Sequence, residues 1–529
     1  MISDKLKYGP LRKKQRENIR VKIKKGTGTA VCISLIVVII IMAIWRKELS
    51  TLFSSGSYND VDSMVETMMN KSTTPGVGIV LSKQGEIEYK CYGYADEKNH
   101  KNVNDESLFE LASTTKAFTA LAIILLEEEG YLASSDSITD YLSWFTPTYN
   151  GEHVNITIDQ VLAHTSGIPS WSIRLIPEGT SDDMLEKTIR NISNITLDTY
   201  PGTKHSYATI NYDVLALIIE EVTGQRYQDF VTDNILLPLG MTESYFSTGQ
   251  ENVSDKLTKG YKVFFGKSIE YNAPRYYGNI AAGYLVTNVK DLGFWLNAQL
   301  GIGDIPNKLK GAINRSHEVN KETAGYEDTN NYYSYGWSND IEAKVINHNA
   351  SNPNYSAQVI IDLEKQEAIF VLANLNSSVP TQIAYNIYEH MNGKQMSRFS
   401  YDDFNILLDL IFSFLTIIAL VSLCIKIINL TKQKNQTIKN ENTRSYKMGR
   451  LIIGLVLRII LLVLIIIWPY LLNYNYHFIR VWMPNAILAW EFLAVINCVL
   501  SIITKLRKIV VIRKKNVFIE GSTGTLNEN

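Results

Sequence analysis

The sequence predicts an α+β domain held outside a membrane by apolar helices, and three observations carry that expectation. Both ends of residues 57–398 read as β-hairpins, helical patterns fill the stretch between them, and long uncharged runs flank the whole on either side. Terminal strands with helices between them fit one domain whose first and last strands meet in a single sheet. No internal repeat interrupts this order.

The chain opens on a basic segment, residues 1–28, crowded with Lys5, Lys7, Arg12, Lys13, Lys14, Arg16, Arg20, Lys22, Lys24 and Lys25. Residues 29–45 then carry no charge. By the positive-inside rule this run is a signal-anchor helix with its N-terminus in the cytoplasm, a processed signal peptide being the alternative. Three further apolar runs, 404–428, 451–472 and 483–503, each approach the ~20 residues that a bilayer needs. Lys432, Lys434, Lys439, Arg444, Lys447 and Arg450 separate the first two of these, and Lys505, Arg507, Lys508, Arg513, Lys514 and Lys515 follow the last. Both clusters then face the cytoplasm with the N-terminus and with the tail, 504–529, which leaves 57–398 outside the cell. The formal net charge of -1 conceals this segregation. The basic N-terminus is a topology signal, so the expected surroundings are membrane lipid and no nucleic acid. Asp409, Arg458 and Glu491 fall within the spans, where charge is costly; the depths of the last two predict an Arg458–Glu491 pair.

Within the outer domain, Val77–Leu81, a Gln84-Gly85 turn and Glu86–Tyr92 form the first expected hairpin. Tyr355–Asp362, a Glu364-Lys365-Gln366 turn and Ala368–Ala373 form the last. Helices are expected over Ser113–Glu129, Tyr212–Val222, Lys290–Leu300 and Thr381–Met391. Cys91 is the only cysteine between residues 57 and 398, so no disulfide forms there. The histidines show no metal-ligand spacing, and neither a metal nor another cofactor is expected.

Chemistry first becomes legible at Ser113-Thr114-Thr115-Lys116. A serine hydroxyl is a poor nucleophile at neutral pH, and a lysine one helical turn on puts an amine against its oxygen. At the start of a helix, unpaired backbone N–H groups and the positive helix end favour developing negative charge. Farther on, Tyr207 sits in the loop that opens a second apolar helix, free to lean over the serine. His348-Asn349-Ala350-Ser351-Asn352 leads into the penultimate strand, where a cationic or hydrogen-bonding side chain and a backbone N–H can be presented at a strand edge.

These three pieces, in this order, resemble the serine β-lactamase and penicillin-binding superfamily, in particular its class C-like branch, which carries Ser-x-x-Lys, Tyr-x-Asn and then Lys-Thr-Gly or His-x-Gly. Leu162-Ala163-His164-Thr165-Ser166-Gly167-Ile168-Pro169, Pro238-Leu239-Gly240-Met241-Thr242 and Tyr335-Gly336-Trp337 are similar to that branch as well. The resemblance implies an antiparallel sheet with flanking helices and a helical lobe. It implies Ser113 as nucleophile, Lys116 and Tyr207 sharing proton transfer, an oxyanion hole from the N–H groups of Ser113 and Ser351, and His348 assisting substrate binding. Thr209 replaces the Asn of the second motif and Ala350 the final Gly of the third, which argues against an efficient general β-lactamase.

A subgroup, the membrane-bound prodrug-activating D-asparaginyl peptidases such as the colibactin-maturing peptidase, is similar at Ser206-Tyr207-Ala208-Thr209, at Asn352-Pro353-Asn354 and at Phe478-Ile479-Arg480-Val481-Trp482. That resemblance implies removal of an N-acyl-D-asparagine cap from an exported nonribosomal peptide prodrug, with Thr209, Asn352 and Asn272 binding the side-chain amide. The substrate is then a small-molecule or peptide N-acyl-D-amino-acid conjugate, and the protein partner to expect is a second copy or an exporter. The alternatives are a D-amino-acid peptidase or esterase, a penicillin-binding protein acting on cell-wall material, or a weak β-lactamase.

Overall fold

The computed structural model describes residues 58, 60–249, 254–319, 331–397, 403–434 and 446–523. The basic segment 1–28, the signal-anchor helix 29–45, most of the basic stretch 435–445 and the tail end 524–529 lie outside the described residues. The chain divides into two compact units. One takes Ser55–Leu407 together with Leu472–Asn485; the other takes Leu408–Leu471 and the long helix from Ala486 onward.

The first unit is built on a sheet of eight strands: β1 (Gly76–Lys83), β2 (Glu86–Asp96), β3 (Lys101–Asn102), β4 (Asn331–Ser334), β5 (Trp337–Asp340), β6 (Val345–Ser351), β7 (Ser356–Asp362) and β8 (Glu367–Ala373). Their order across the sheet is β4-β5-β6-β7-β8-β1-β2-β3. As the terminal-strand pattern predicted, the ends of the domain meet: β1 and β8 run antiparallel from Val77 opposite Ala373 to Lys83 opposite Glu367. Both β7 and β8 are buried at every residue. Their largely apolar composition fits a sheet covered on both faces, and the buried polar side chains find partners, Ser356 Oγ donating to Leu375 O (2.6 Å) and Gln358 Nε2 to Val359 O (2.9 Å). Helix α1 (Val61–Ser72) packs on α5 (Val379–Met391), which lies on β7 and β8, while α4 (Val289–Gln299) lies on β1 and β8.

Two central helices, α2 (Thr115–Glu128) and α3 (Ile210–Thr223), pack against each other. The first is buried from Thr115 to Leu126 and the second from Ile210 to Ile219. A helix apolar on all sides is stable only inside a core, so the helical lobe is organised around this pair. The turn between β4 and β5 then joins lobe to sheet. Ser334 pairs with Trp337, so Tyr335 and Gly336 form a two-residue turn, and both have positive φ (49° and 82°). That is the type I′ turn whose twist suits a hairpin. Its tip presses on α2: a Cβ on Gly336 would lie 2.7 Å from both Cα and N of Ala117.

Leu472–Asn485 folds with the first unit. It carries α8 (Tyr476–Trp482), whose Ile479 and Val481 are buried. The Lys262 Nζ donates to Arg480 O (3.0 Å) and Val481 O (2.8 Å), capping the helix's last carbonyls, and Tyr276 Oη lies 2.6 Å from His477 Nε2.

In the second unit, α6 (Phe404–Lys434), α7 (Tyr446–Leu471) and α9 (Asn485–Thr523) contain three stretches long and apolar enough to cross a membrane: Phe404–Leu430, Met448–Leu471 and Asn485–Arg513. The last begins two residues later than expected, because Pro484 holds Met483 extended (φ −96°, ψ 160°). The long helix also runs on to Thr523, through residues expected to form the tail. The expected Arg458–Glu491 pair is not formed among the described residues: Arg458 is exposed and Glu491 buried. The buried polar link joins α6 to α9, with Lys426 Nζ donating to Asn497 O (3.0 Å) and Oδ1 (2.9 Å) and Asn497 Nδ2 donating to Ala419 O (2.8 Å).

Contact at Gly336 with backbone, which cannot move aside as a side chain can, predicts that Gly336→Ala lowers stability by about 3 kcal/mol. Gly130→Ala, at φ 79° with open space around it, is the matched control and should cost about 1 kcal/mol. Thermal unfolding of the two full-length variants in detergent checks the difference.

Candidate active site

The path into Ser113 starts at a short strand, Phe109–Glu110, which pairs with Leu285–Thr287. The chain then makes a sharp bend at Ala112, a fully buried non-glycine residue in the left-handed region (φ 48°). Such a conformation costs on the order of 1 kcal/mol and persists only where the surroundings enforce it. Leu111 N donates to Leu285 O (2.8 Å) and Thr114 Oγ1 to Leu111 O (2.7 Å), fixing both sides of the bend. Ser113 was expected in the first turn of the α-helix. It lies instead in a 3₁₀ turn, Ala112–Thr114, immediately ahead of α2, half-buried at the junction of lobe and sheet.

Lys116 is fully buried, and its Nζ has three neighbours: Ser113 Oγ at 3.1 Å, Thr209 Oγ1 at 3.2 Å and Ala282 O at 2.8 Å. Burial disfavours the ammonium and pushes the lysine down to about 7, while the nearby Asp213 opposes that shift. As a free amine, Nζ has two hydrogens and one lone pair. The carbonyl of Ala282 can only accept, Thr209 Oγ1 takes the second hydrogen, and the lone pair is left facing Ser113 Oγ. Thr209, expected to read substrate, is therefore also a ligand of the lysine.

Tyr207 stands over this group, its ring centre 5.2 Å from Lys116 Nζ. His164 fixes the loop that carries it. His164 O accepts from Ser206 N (2.8 Å), and His164 Nδ1 lies 3.4 Å from Ala208 N and 3.0 Å from Asn211 Nδ2, so the backbone on either side of Tyr207 is held. The two rings stack obliquely with centroids 4.1 Å apart. His164 is buried, adopts φ 56°, and is held well below its usual range by desolvation, so it acts as a neutral acceptor.

Strand β6, which pairs with β5 only over Val345–Asn347, runs beside the Ala112–Thr114 turn. Ser351 ends it, exposed, opposite Ser356 of β7, and buried Ala350 faces Ala357. His348 lies on the same strand, three residues before Ser351. It is buried, its Nδ1–H donates to Asn349 O (2.6 Å), and its Nε2 accepts from Tyr333 Oη (2.9 Å). Burial, with the charge of Lys116 second, pushes it down to about 3. Of the cationic or hydrogen-bonding side chain expected at this position, the structure has a neutral ring hydrogen-bonded to Tyr333.

Asn352 is buried just past the strand, where its Nδ2 donates to Glu110 Oε2 (2.7 Å) and Gly283 O (2.9 Å). Glu110 in turn accepts from Arg275 (2.9 Å). This chain of contacts ties the end of β6 to the strand before Ser113, and both hydrogens of the Asn352 amide are engaged in it. Gly283 leaves room for it, since a Cβ there would lie 3.1 Å from Asn352 Oδ1. Asn272 is exposed in the loop after a second, two-stranded hairpin, Tyr261–Glu270. Among the described residues, no hydrogen bond joins it to Ser113, Lys116 or Tyr207. Among the described residues, no group of three His, Cys, Asp or Glu side chains is arranged to hold a metal.

The sequence reading missed the bend at Ala112, the Thr209–Lys116 bond and the grip of His164 on the Tyr207 loop. The His164-Thr165-Ser166-Gly167 segment carried the only signal for the last of these, through Gly167 (φ 79°), where a Cβ would lie 2.2 Å from Thr199 O.

Comparison with known proteins bears on the family of the domain that carries these residues. The beta-lactamase family model matches residues 61–390. Protein flp of Staphylococcus aureus (strain N315) is 32% identical over 345 residues, covering 65% of this chain and 67% of its own length. Among solved structures, the octameric penicillin-binding protein homologue from Pyrococcus abyssi superposes with a TM-score of 0.56 at 27% identity, over 63% of this chain and 77% of that one. A class C beta-lactamase in complex with cefoxitin shares the fold with a TM-score of 0.52 at 21% identity, over 62% and 97%. With its fold and its match across residues 61–390, the chain belongs to the beta-lactamase family of serine hydrolases.

Proposed function

We propose that this protein is a membrane-anchored serine peptidase or esterase that works through an acyl-enzyme on D-amino-acid substrates at the outer face of the membrane. The single observation that carries the reading is the buried amine of Lys116, 3.1 Å from Ser113 Oγ and with its other neighbours satisfied. The amine takes the Ser113 proton as Oγ attacks the substrate carbonyl. The N–H groups of Ser113 and Ser351 receive the oxyanion, a preorganised pair in which each donor lowers the barrier by about 3 kcal/mol. The proton then returns through Lys116 and Tyr207 to the leaving group, and water hydrolyses the ester on Ser113. The three apolar helices, with the basic clusters at their ends, support a multi-pass protein whose catalytic unit faces outward.

Two substrate readings divide on one residue. A cell-wall D-amino-acid conjugate suits a site in which Asn352 is engaged by Glu110 and Gly283 and Asn272 is exposed, since few groups are then left to read a side-chain amide. The D-asparaginyl prodrug reading is favoured by Thr209, whose hydroxyl stands at the lysine where other branches carry Asn. A site that hydrogen-bonds a carboxamide rejects an analogue lacking it by ~10⁴-fold or more. Incubation of the pure protein with an N-acyl-D-asparaginyl amide and its D-alanyl analogue separates them: faster release from the D-alanyl compound is expected, and a strong preference for D-asparagine would favour prodrug maturation.

A fluorophosphonate or β-lactam probe should label the wild type and leave Ser113→Ala unlabelled; equal labelling would remove Ser113 as nucleophile. Because the lysine must be a free amine to accept the proton and sits at about 7, the labelling rate should rise about tenfold per pH unit below pH 7 and level off above it. A pH–rate series with the same probe checks the sign, since a rate that falls through pH 7 would require the ammonium instead.

A further inference from the structure

The hairpin 261–270 takes no part in the chemistry above, yet it grips the end of the site on one side and a later segment of the chain on the other. Ser351 is followed by a turn at 352–355, closed by Asn352 N donating to Tyr355 O (2.8 Å). Residues of the hairpin and its flanks hold that turn at three points. Tyr261 N donates to Asn354 O (3.4 Å) as well as to Asn374 O (2.9 Å), Asn354 Nδ2 donates to Tyr271 O (3.1 Å), and Tyr355 Oη donates to Thr258 O. Asn354 is buried, and the fit is close: a Cβ on Gly260 would lie 2.1 Å from its Nδ2. A turn packed and bonded in this way moves with the hairpin.

Lys262 fixes the hairpin from its other side. It is buried, and the partners of its Nζ among the described residues are Arg480 O (3.0 Å), Val481 O (2.8 Å) and the face of Tyr271, whose ring centre is 4.4 Å away. Tyr271 is thereby held twice, its carbonyl by Asn354 and its ring by Lys262. Burial pushes this lysine down to about 7. A Met would pack there at less cost but would leave both carbonyls of α8 unpaired. The segment they belong to, Leu472–Asn485, connects two helices long and apolar enough to cross a membrane. An unbroken path of contacts therefore runs from α8 through Lys262, Tyr271 and Asn354 to the turn that follows Ser351. The other hold on α8, from Tyr276 Oη to His477 Nε2 (2.6 Å), is not part of that path.

We propose that Lys262 is a positioning residue for the oxyanion hole: by gripping α8 it fixes the hairpin, and the hairpin fixes the turn that aims the Ser351 N–H. The segment between two apolar helices is then a working part of the hydrolase. Two donors stabilise an oxyanion only when both point at one place, and a small displacement of either forfeits much of the effect. Lys262 itself does not reach the substrate, so its loss slows the step after binding and leaves binding nearly as it was.

The inference rests on the acyl-enzyme reading, and its test is separable from it. Full-length Lys262→Met in detergent, acylated by a penicillin, should show the ester carbonyl band of the acyl-enzyme at higher wavenumber in the infrared than the wild type, because the carbonyl has lost hydrogen bonding. Its acylation rate at saturating penicillin should fall about tenfold, with the half-saturating concentration nearly unchanged. Asn354→Ala cuts the path at one hydrogen bond; it should shift the band in the same direction, and it decides the matter should Lys262→Met not fold. Tyr276→Phe loosens α8 through His477 only and should keep the wild-type band and rate. A wild-type band in Lys262→Met or in Asn354→Ala, or an equal shift in Tyr276→Phe, would overturn the proposal while leaving Ser113 as nucleophile. Absence of any acyl-enzyme at Ser113 in the wild type would instead remove the reading on which the proposal rests.

Discussion

The removal of Lys116 from water is the constraint to which the rest of the catalytic unit answers. A lysine side chain is among the least tolerated groups in a protein core, and burying its charge costs more than most single contacts return. Here the residue is fully buried in a helix that is itself buried from Thr115 to Leu126. The amine can stay there because a carbonyl and two hydroxyls surround it and because burial favours its neutral form. A neutral amine beside a serine hydroxyl is a base. The desolvation that makes the position expensive is thus the same effect that makes it reactive at neutral pH.

Position is enforced by backbone more than by side chains. The left-handed bend at Ala112 turns Ser113 out at the head of α2, the tip of the β4–β5 turn presses on that helix at Gly336, and Gly283 makes room for Asn352. Backbone contacts of this kind tolerate little displacement, so the hydroxyl and the amine keep their separation without relying on flexible side chains. The same logic applies to Tyr207, whose loop is gripped on both sides by the backbone and ring of His164. His348 belongs to this supporting shell: its neutral ring orients Tyr333.

The hydrolase unit extends beyond the span that the family shares. The beta-lactamase match ends at residue 390, yet Leu472–Asn485 folds with Ser55–Leu407, and Lys262 is buried to cap the short helix within that later segment. Two hydrogen bonds from a desolvated amine are a substantial commitment to a surface loop. They make this segment part of the hydrolase unit instead of a plain connector between two apolar helices.

Local patterns determined a good deal of this protein. Two strand-like runs about the Gln84-Gly85 turn placed β1 and β2, an apolar helical pattern placed α2, and the order of Ser113, Lys116 and Tyr207 along the chain was enough to suggest one site. These features are legible because they depend on neighbours within a few residues. Tertiary structure alone decided the charge state of His348, the engagement of Asn352 with Glu110 and the bond from Lys116 to Thr209. Each of these depends on groups tens to hundreds of residues apart, and on a dielectric that exists only once the core has closed. Residue type and spacing announce which groups could react; the exclusion of water, which no linear pattern encodes, decides which of them carry charge.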